Sequence, residues 1–472
     1  MRTLALLAGL GWVLGCGHAA VSAPARPPHI LYVMTDQQHA GMLGCAGNRW
    51  LKTPAMDGLA ADGVRFELAY TANPVCLPAR VTMMTGFYPS RFGIRSNQNP
   101  PEIPREFLDN GLGHLLRRAG YETAFGGKTH WPRKMTPESL GFEYLGRDER
   151  DGLADACVAF LRRKHDRPFL LVASFINPHD ICYMAIDAFT RGTGKPPMYP
   201  ASTVERQRLA EALALPEGVT REEFFARLCP PLPANHEPPA DQPPAAARHA
   251  GFREYVKSNW PPEEWRRHRW AYARLTERVD AEIGRVLAAL RETGLDRETV
   301  VIFSSDHGDL DGAHRLEHKS EPYEESARVP FIVSWKGRTP AGRVDREHLV
   351  SAGVDLLPTV CDYAGIEAPR GLPGRSVRGL VEGQTVADWR DDLVVECTDS
   401  RMLRTRRHKY AVFAGEGPRE MLFDMEKDPG EMKNLAGDPA LAETLRDHRR
   451  RLLRRMEAHG DRIGMGYAPG GN

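Results

Sequence analysis

The stretch Thr299-Val300-Val301-Ile302-Phe303-Ser304-Ser305-Asp306-His307-Gly308-Asp309 decides the fold. Its first half is an unbroken apolar run of strand length, the pattern of a strand buried on both faces. The run then stops abruptly in residues that carry chemistry. The same pairing recurs upstream. His29–Met34 ends in Thr35-Asp36-Gln37-Gln38, Tyr121–Phe125 in Gly126-Gly127-Lys128-Thr129-His130, and Phe169–Ile176 in Asn177-Pro178-His179. Val329–Trp335 is a further strand, just after Lys319. Helical patterns separate them, around Met56–Gly63, Gly111–Ala119 and Gly152–Lys164, and in a long helix at Trp265–Arg291. Strands alternating with helices give an α/β fold, a mostly parallel central sheet sandwiched by helices. Such sheets bind ligands beyond the carboxyl ends of their strands. Four polar strand ends therefore predict one site.

Working outward, Ala185–Trp270 breaks the alternation with Pro230-Pro231-Leu232-Pro233 and Pro238-Pro239 between short helical pieces. A long irregular excursion of this kind is either functional or mobile; it is read as a lid or wall of the cleft, with surface decoration as the alternative. Gly371-Leu372-Pro373-Gly374-Arg375-Ser376 is turn chemistry and marks a boundary. Beyond it, strands near Leu393–Glu396, Met402–Arg404, Tyr410–Phe413 and Met421–Phe423 predict a small antiparallel sheet, and a last helix covers Leu441–Met456. The expected division is a segment 1–23, a catalytic domain 24–378 and a C-terminal α+β subdomain 379–472.

Segment 1–23 has the form of a signal peptide. Arg2 is the only charge before the apolar run Leu4–Leu14, which is too short to span a bilayer. Val13-Leu14-Gly15-Cys16 is similar to a lipoprotein box with Cys16 lipidated, while Val21-Ser22-Ala23 offers an ordinary signal-peptidase site. Either reading exports the chain to the periplasm, a lipid anchor or the medium. Lysine and arginine number 63 against 62 acids, so no global basic field points to nucleic acid. The basic run Arg449–Arg455 reads as the solvated face of an amphipathic helix. Eight cysteines are scattered and identify no disulfide pairs.

The chemistry centres on Asn73–Tyr88 and within it on Cys76-Leu77-Pro78-Ala79-Arg80. Pro78 suits the first turn of a helix, and Gly86 closes the apolar run that follows. Cys76 then lies at a helix N-terminus, which favours an anion, with Arg80 one turn along the same face. The spacing Cys76-x-Pro78-x-Arg80 resembles the signature of the type I sulfatases. Four more landmarks follow that family in order: Thr35-Asp36, Gly127-Lys128-x-His130, Asp306-His307-Gly308 with Lys319, and Phe423–Glu431. Two positions depart from the family's common pattern, Gln37 for a second Asp and His307 for Asn.

The resemblance implies the alkaline-phosphatase-like architecture and a formylglycine (3-oxoalanine) made from Cys76 by a formylglycine-generating enzyme. It places Asp36, Gln37, Asp306, His307 and the oxidised Cys76 around a divalent ion. Ca²⁺ is the expected ion, and the nitrogen of His307 also suits Mn²⁺. One hydroxyl of the aldehyde hydrate would attack sulfur; the other would later expel sulfate, so water need not attack. Arg80 would orient the hydrate, Lys128 and Lys319 clamp sulfate oxygens, His130 collect a proton, and His179 protonate the leaving group or bind sulfate. The expected activity is sulfate-ester hydrolysis on a sulfated carbohydrate. A phosphonate monoester or phosphodiester hydrolase is the alternative enzyme. A silent binding protein that keeps Cys76 as a thiol is the alternative of another class.

Overall fold

The computed structural model describes residues 27–197, 200 and 202–467. The expected signal segment and Cys16 lie outside the described residues. In chain order the strands are β1 (His29–Asp36), β2 (Val64–Phe66), β3 (Ala69–Tyr70), β4 (Glu122–Gly127), β5 (Glu143–Gly146), β6 (Phe169–Pro178) and β7 (Thr299–Ser305). They continue with β8 (Phe331–Trp335), β9 (Arg343–Asp345), β10 (Val350–Ser351), β11 (Asp392–Glu396), β12 (Ser400–Thr405), β13 (His408–Phe413) and β14 (Glu420–Asp424).

The central sheet has the order β5-β4-β6-β1-β7-β8-β2-β9. The first five run parallel to one another; β8 is antiparallel to both β7 and β2, and β9 is parallel to β2. Every residue of β1, β6 and β7 is buried, as an apolar run enclosed on both faces must be. Alternate residues of β1 feed two different cores. Ile30, Tyr32 and Met34 pack with Leu77, Val81, Leu112 and Leu356 on one face. Leu31 and Val33 pack with Met56, Leu153, Val279 and Ile283 on the other. Each large apolar side chain so buried stabilises the fold by about 1.5–3 kcal/mol. Helices therefore cover both sides, as the alternation predicts.

The predicted helices form at Pro54–Ala61, Leu112–Arg118, Leu153–Leu161, Pro262–Glu292 and Ala442–His459. Pro262 opens the long one, with Glu263 and Glu264 against the positive end of its dipole. The strands absent from the sequence reading are short. β2 and β9 hold three residues each and β5 four, too few to show a period. The excursion is a set of short helices that includes Cys182–Thr193, Val204–Leu213 and Phe252–Asn259.

The C-terminal sheet, β11-β12-β13-β14, is antiparallel throughout. Its face of Leu403, Tyr410, Val412 and Leu422 is covered by Leu445, Leu452 and Met456 of the last helix. The basic run on that helix is a solvated face only in part: Arg450 and Arg454 are exposed, while Arg449, Arg451 and Arg455 are half-buried. Arg451 Nη1 reaches Asp391 at 2.6 Å, Arg455 Nε reaches Asp392 at 2.6 Å, and Arg449 pairs with Glu420. The run pins the helix to the sheet. All seven described cysteines are free, and no described helix is long and apolar enough to cross a membrane.

Candidate active site

Sheet register gathers the four strand ends. Thr35 lies opposite Ser305, Asp36 opposite Pro178, and Gly127 opposite Ser174. Gly127 has φ 87°, and a Cβ there would sit 2.2 Å from the Ser174 carbonyl oxygen. Only glycine lets β4 approach β6 this closely, and the next residue, Lys128, is thereby aimed into the site.

The helix Cys76–Thr85 enters from the other side, closed by Gly86 at φ 78°. All ten of its residues are buried, including Arg80 at 2 % exposure. A buried guanidinium needs partners on every side, and Arg80 has them. Nη2 donates to Asp36 Oδ2 at 2.9 Å and Nε to Asp306 Oδ2 at 2.8 Å. Nη1 donates to the Lys128 carbonyl and to Ser174 Oγ, both at 2.8 Å. Lys128 Nζ lies 2.6 Å from Asp36 Oδ2. Arg80 is thus the brace that fixes both carboxylates from behind.

In front of this brace, Cys76 Sγ lies 3.0 Å from Lys319 Nζ, 3.1 Å from His307 Nε2, 3.7 Å from Asp36 Oδ1 and 4.0 Å from Lys128 Nζ. His130 and His179 also lie close enough to act on the charge of the sulfur. Burial alone would raise the Cys76 thiol, yet Lys128, Lys319 and His307 outweigh it and hold the group well below its ordinary range. The field at this point favours an anion. His179 is pushed down to about 3 by burial and by Lys128, so its imidazole is neutral.

The donor set fits a divalent cation. One ligand atom each from Asp36, Cys76, Asp306 and His307 lies within 4.8 Å of the others, and all four residues are buried. His307 Nδ1 faces the Gly308 carbonyl oxygen at 2.9 Å, which directs Nε2 inward, where a bound ion would take the place of its proton. Burial and the neighbouring Asp36 raise Asp306, whereas Lys128 and Arg80 hold Asp36 low against its own burial. Two carboxylates pressed together in this way are the arrangement a dication relieves. Gln37 is turned elsewhere: Oε1 accepts from Lys319 Nζ at 2.8 Å and from the Cys182 thiol, while Nε2 donates to Asp309 Oδ2 at 2.6 Å. In this arrangement Gln37 positions Lys319.

The structure thus brings together every candidate: Asp36, Gln37, Cys76, Arg80, Lys128, His130, His179, Asp306, His307 and Lys319. It adds residues that sequence reasoning did not single out. Ser174 is a hydroxyl inside an apolar strand, and its bond to Arg80 leaves no local signal. Arg150 grips Asp180 with Nε at 3.0 Å and Nη2 at 2.8 Å, fixing the turn that carries His179. The site opens into a cavity of about 410 Å³ beside His179 and Lys319, with the excursion's Ile186, Phe252 and Arg253 in its wall. That volume is in the range of small-molecule sites.

The family profile described as sulfatase matches residues 28–366, and one described as N-sulphoglucosamine sulphohydrolase, C-terminal, matches 312–458. The chain is 30% identical over 461 residues to a Delta 4,5-hexuronate-2-O-sulfatase of Bacteroides thetaiotaomicron, covering 92% of this chain and 89% of that protein. A solved 2-O GAG sulfatase superposes with a TM-score of 0.76 at 28% identity, covering 93% of this chain and 94% of that one. The phosphonate monoester hydrolase of Agrobacterium radiobacter shares the fold, with a TM-score of 0.71 at 23% identity over 92% and 96% of the two chains. The chain belongs to the sulfatase family of the alkaline-phosphatase-like superfamily, whose members are sulfuric ester hydrolases.

Proposed function

We propose that this sulfatase removes sulfate from a sulfated carbohydrate outside the cytoplasm, with Cys76 converted to formylglycine. The observation that carries the reading is the convergence of two ammonium groups on one buried side chain at a helix start. Lys319 stands 3.0 Å and Lys128 4.0 Å from Cys76 Sγ, with His307 at 3.1 Å. The glycan substrate is supported by the relatives' own names, a hexuronate-2-O-sulfatase and a 2-O GAG sulfatase. Export rests on the apolar segment 1–23, by signal-peptidase cleavage or through a lipid anchor at Cys16. We assign 24–378 to catalysis and 379–472 to the C-terminal subdomain, whose Thr398 reaches the cavity lining.

Once a formylglycine-generating enzyme has oxidised Cys76, one hydroxyl of the aldehyde hydrate would attack sulfur as the S–O bond to the sugar breaks and the alcohol leaves, and the second would then lose its proton and expel sulfate as the aldehyde re-forms. Asp36, Asp306 and His307 would hold a divalent ion, Ca²⁺ or Mn²⁺, whose charge makes a nearby hydroxyl more acidic and offsets negative charge. The chain's own groups do the rest. Arg80 keeps both aspartates in place. Lys128 and Lys319 clamp sulfate oxygens, and their charge is worth most in a buried site. Gln37 holds Lys319 at its station. His130, whose Nδ1 is buried without a hydrogen-bond partner, accepts the proton released from the hydrate. His179, held neutral, serves as an N–H donor to a sulfate oxygen. The second reading is a phosphonate monoester hydrolase, favoured by Gln37 and His307 at positions where sulfatases more often carry Asp and Asn.

The test is chemical. Protein made together with a formylglycine-generating enzyme should release inorganic sulfate from a sulfated monosaccharide. Its Cys76 peptide should appear in mass spectrometry as the aldehyde or its hydrate. Cys76→Ala should keep the fold and release none. An active preparation whose Cys76 remains a thiol would overturn the mechanism.

A further inference from the structure

The helix that begins at Cys76 is held from outside its own domain. Its cap residue, Val75, offers no side-chain bond, and the first turn of a helix leaves N–H groups that need partners. Leu77 N donates to Asn97 Oδ1 at 3.0 Å. The chain on either side of the helix is gripped by one stretch of the C-terminal subdomain, residues 394–399, at the end of β11 and just beyond it. Ahead of the helix, Glu396 N donates to the Ala72 carbonyl at 2.9 Å. Behind it, the Tyr88 hydroxyl donates to the Val394 carbonyl at 3.1 Å. Thr398 Oγ1 reaches the Arg95 carbonyl at 3.3 Å, just before Asn97, and Arg95 pairs with Asp399.

Glu396 adds its side chain to this strap. The residue is 1 % exposed, and both carboxylate oxygens accept from one partner: Oε2 from Ser90 N at 3.0 Å and Oε1 from Ser90 Oγ at 2.6 Å. Ser90 lies in the short turn Pro89–Phe92, shortly after Gly86 closes the Cys76 helix. Burial pushes the Glu396 acid up to about 7 against the field of Arg401, whose own donors go to Asp461 and to the Cys397 and Ser400 carbonyls. A carboxylate is costly in such a place, and an apolar residue of similar size would be free of that cost. What the carboxylate supplies is a fixed station for both donors of Ser90.

We infer that Glu396 is a positioning residue for the nucleophile: its side chain through Ser90 and its N–H through Ala72 fix both ends of the segment that carries Cys76. The inference rests on the reading of Cys76 as the reacting residue. It extends the machinery to a group of the C-terminal subdomain that touches neither sulfate nor metal. Cys76 Sγ stands 3.0 Å from Lys319 Nζ and 3.1 Å from His307 Nε2, so a small slide of the helix changes both contacts. The helix start also takes a bond from Ser320 N to the Pro74 carbonyl at 3.0 Å. The strap sets the rest of the frame, and a buried helix carries a displacement at one end to the other. A misplacement of about 1 Å from a change far from the chemistry is enough to cost about 100-fold in rate.

The experiment compares the oxidised enzyme with its variants, counting turnover of an aryl sulfate and of the matched phosphonate per folded, formylglycine-bearing molecule. Glu396→Leu should lower kcat roughly 10- to 100-fold, with KM within about twofold and the metal content unchanged. Glu396→Gln keeps an acceptor for Ser90 N and lets the Ser90 hydroxyl turn to accept from its amide, so it should recover most of the loss. Ser90→Ala added to Glu396→Leu should cost nothing further, because the pair acts as one unit. Arg449→Ala loosens the same subdomain at its last helix; it should lower the denaturation midpoint and leave kcat in place. Wild-type kcat in Glu396→Leu overturns the inference, and so does an equal fall in Arg449→Ala. If Glu396→Leu does not fold, Ser90→Ala alone decides: a fall in kcat at constant KM supports positioning, and an unchanged kcat overturns it. Amide exchange gives a reading without turnover. Exchange across residues 73–90 should quicken in Glu396→Leu while that of the helix Pro262–Glu292 holds, and unchanged exchange across 73–90 overturns the inference. A wild type that turns over the phosphonate alone, or neither ester, would remove the sulfatase reading and leave the exchange result to decide the strap.

Discussion

Among the described residues two clusters of acid and histidine could hold a metal, one wholly buried and the other with Glu325 half-buried. The first is Asp36–Cys76–Asp306–His307 at the strand ends. The second is His314–Glu325–Glu431, where the ligand atoms also lie within 4.8 Å of one another. Residue type does not separate them; the placement of the chain's own cations does. In the second, Lys409 Nζ sits 2.7 Å from Glu324 Oε1 and 2.8 Å from Glu431 Oε1, and donates to the Pro322 carbonyl at 3.1 Å. Its three donors are spent, and Arg328 Nε, 2.8 Å from Glu324 Oε2, adds the second cation, so that the two carboxylates Lys409 touches are matched from within. His314 stacks on Tyr323, centroids 4.0 Å apart, and burial lowers it to about 3, so it adds no charge.

In the first cluster the cations stand behind the acids. Arg80 and Lys128 take the outer carboxylate oxygens, Asp36 Oδ2 and Asp306 Oδ2. The inner oxygens converge with His307 Nε2, Asp36 Oδ1 at 3.9 Å and Asp306 Oδ1 at 3.5 Å, the latter also accepting from the backbone N–H groups of Gln37 and His307. A built-in ammonium meets the acids of one cluster, and the other offers its converging ligand atoms to the dication we propose.

The largest expected effect breaks this comparison outright if it fails. Wild-type protein should carry one divalent ion per chain by elemental analysis. Asp36→Ala and Asp306→Ala should each lose it, along with several orders of magnitude in kcat. Two ions per chain, or full occupancy in both variants, would refute the distinction.

A smaller effect sharpens it. Lys409→Met strands Glu324 and Glu431 in a buried setting, and breaking such a pair costs about 3–5 kcal/mol. Chemical denaturation should show that loss, while the metal content stays at one ion per chain and kcat per folded molecule holds. A Lys409 variant that gains a second ion would mean that the two clusters differ only in what fills them.

The contrast also explains what could be read from the sequence. Strands β1, β4, β6 and β7 were legible because burial on both faces demands a continuous apolar run, and their polar ends stood out against it. Cys76, Pro78 and Arg80 were legible because they share one helical turn. The rest depends on partners far apart in the chain. Arg449, Arg451 and Arg455 look solvated until Glu420, Asp391 and Asp392 are brought beneath them. Lys409 sat within a basic run and Glu431 within a landmark, with nothing local to pair them across the junction. Ser174, Arg150 and Arg253 are ordinary residues in their own neighbourhoods; their places beside Arg80, Asp180 and the cavity are products of the fold. The short strands β2, β5 and β9 carry too few residues to show a period.

The measurement closest to the central claim compares anions at the same clamp. Sulfate and phosphate esters both present tetrahedral oxygens to Lys128 and Lys319, and tight ground-state binding of a dianion does not by itself raise turnover. With aryl leaving groups matched, kcat/KM should be higher for the sulfate than for the phosphate monoester or the phosphonate, and inorganic phosphate should inhibit competitively. A clear preference for the phosphonate would contradict the account and make this chain a phosphonate hydrolase on a sulfatase framework.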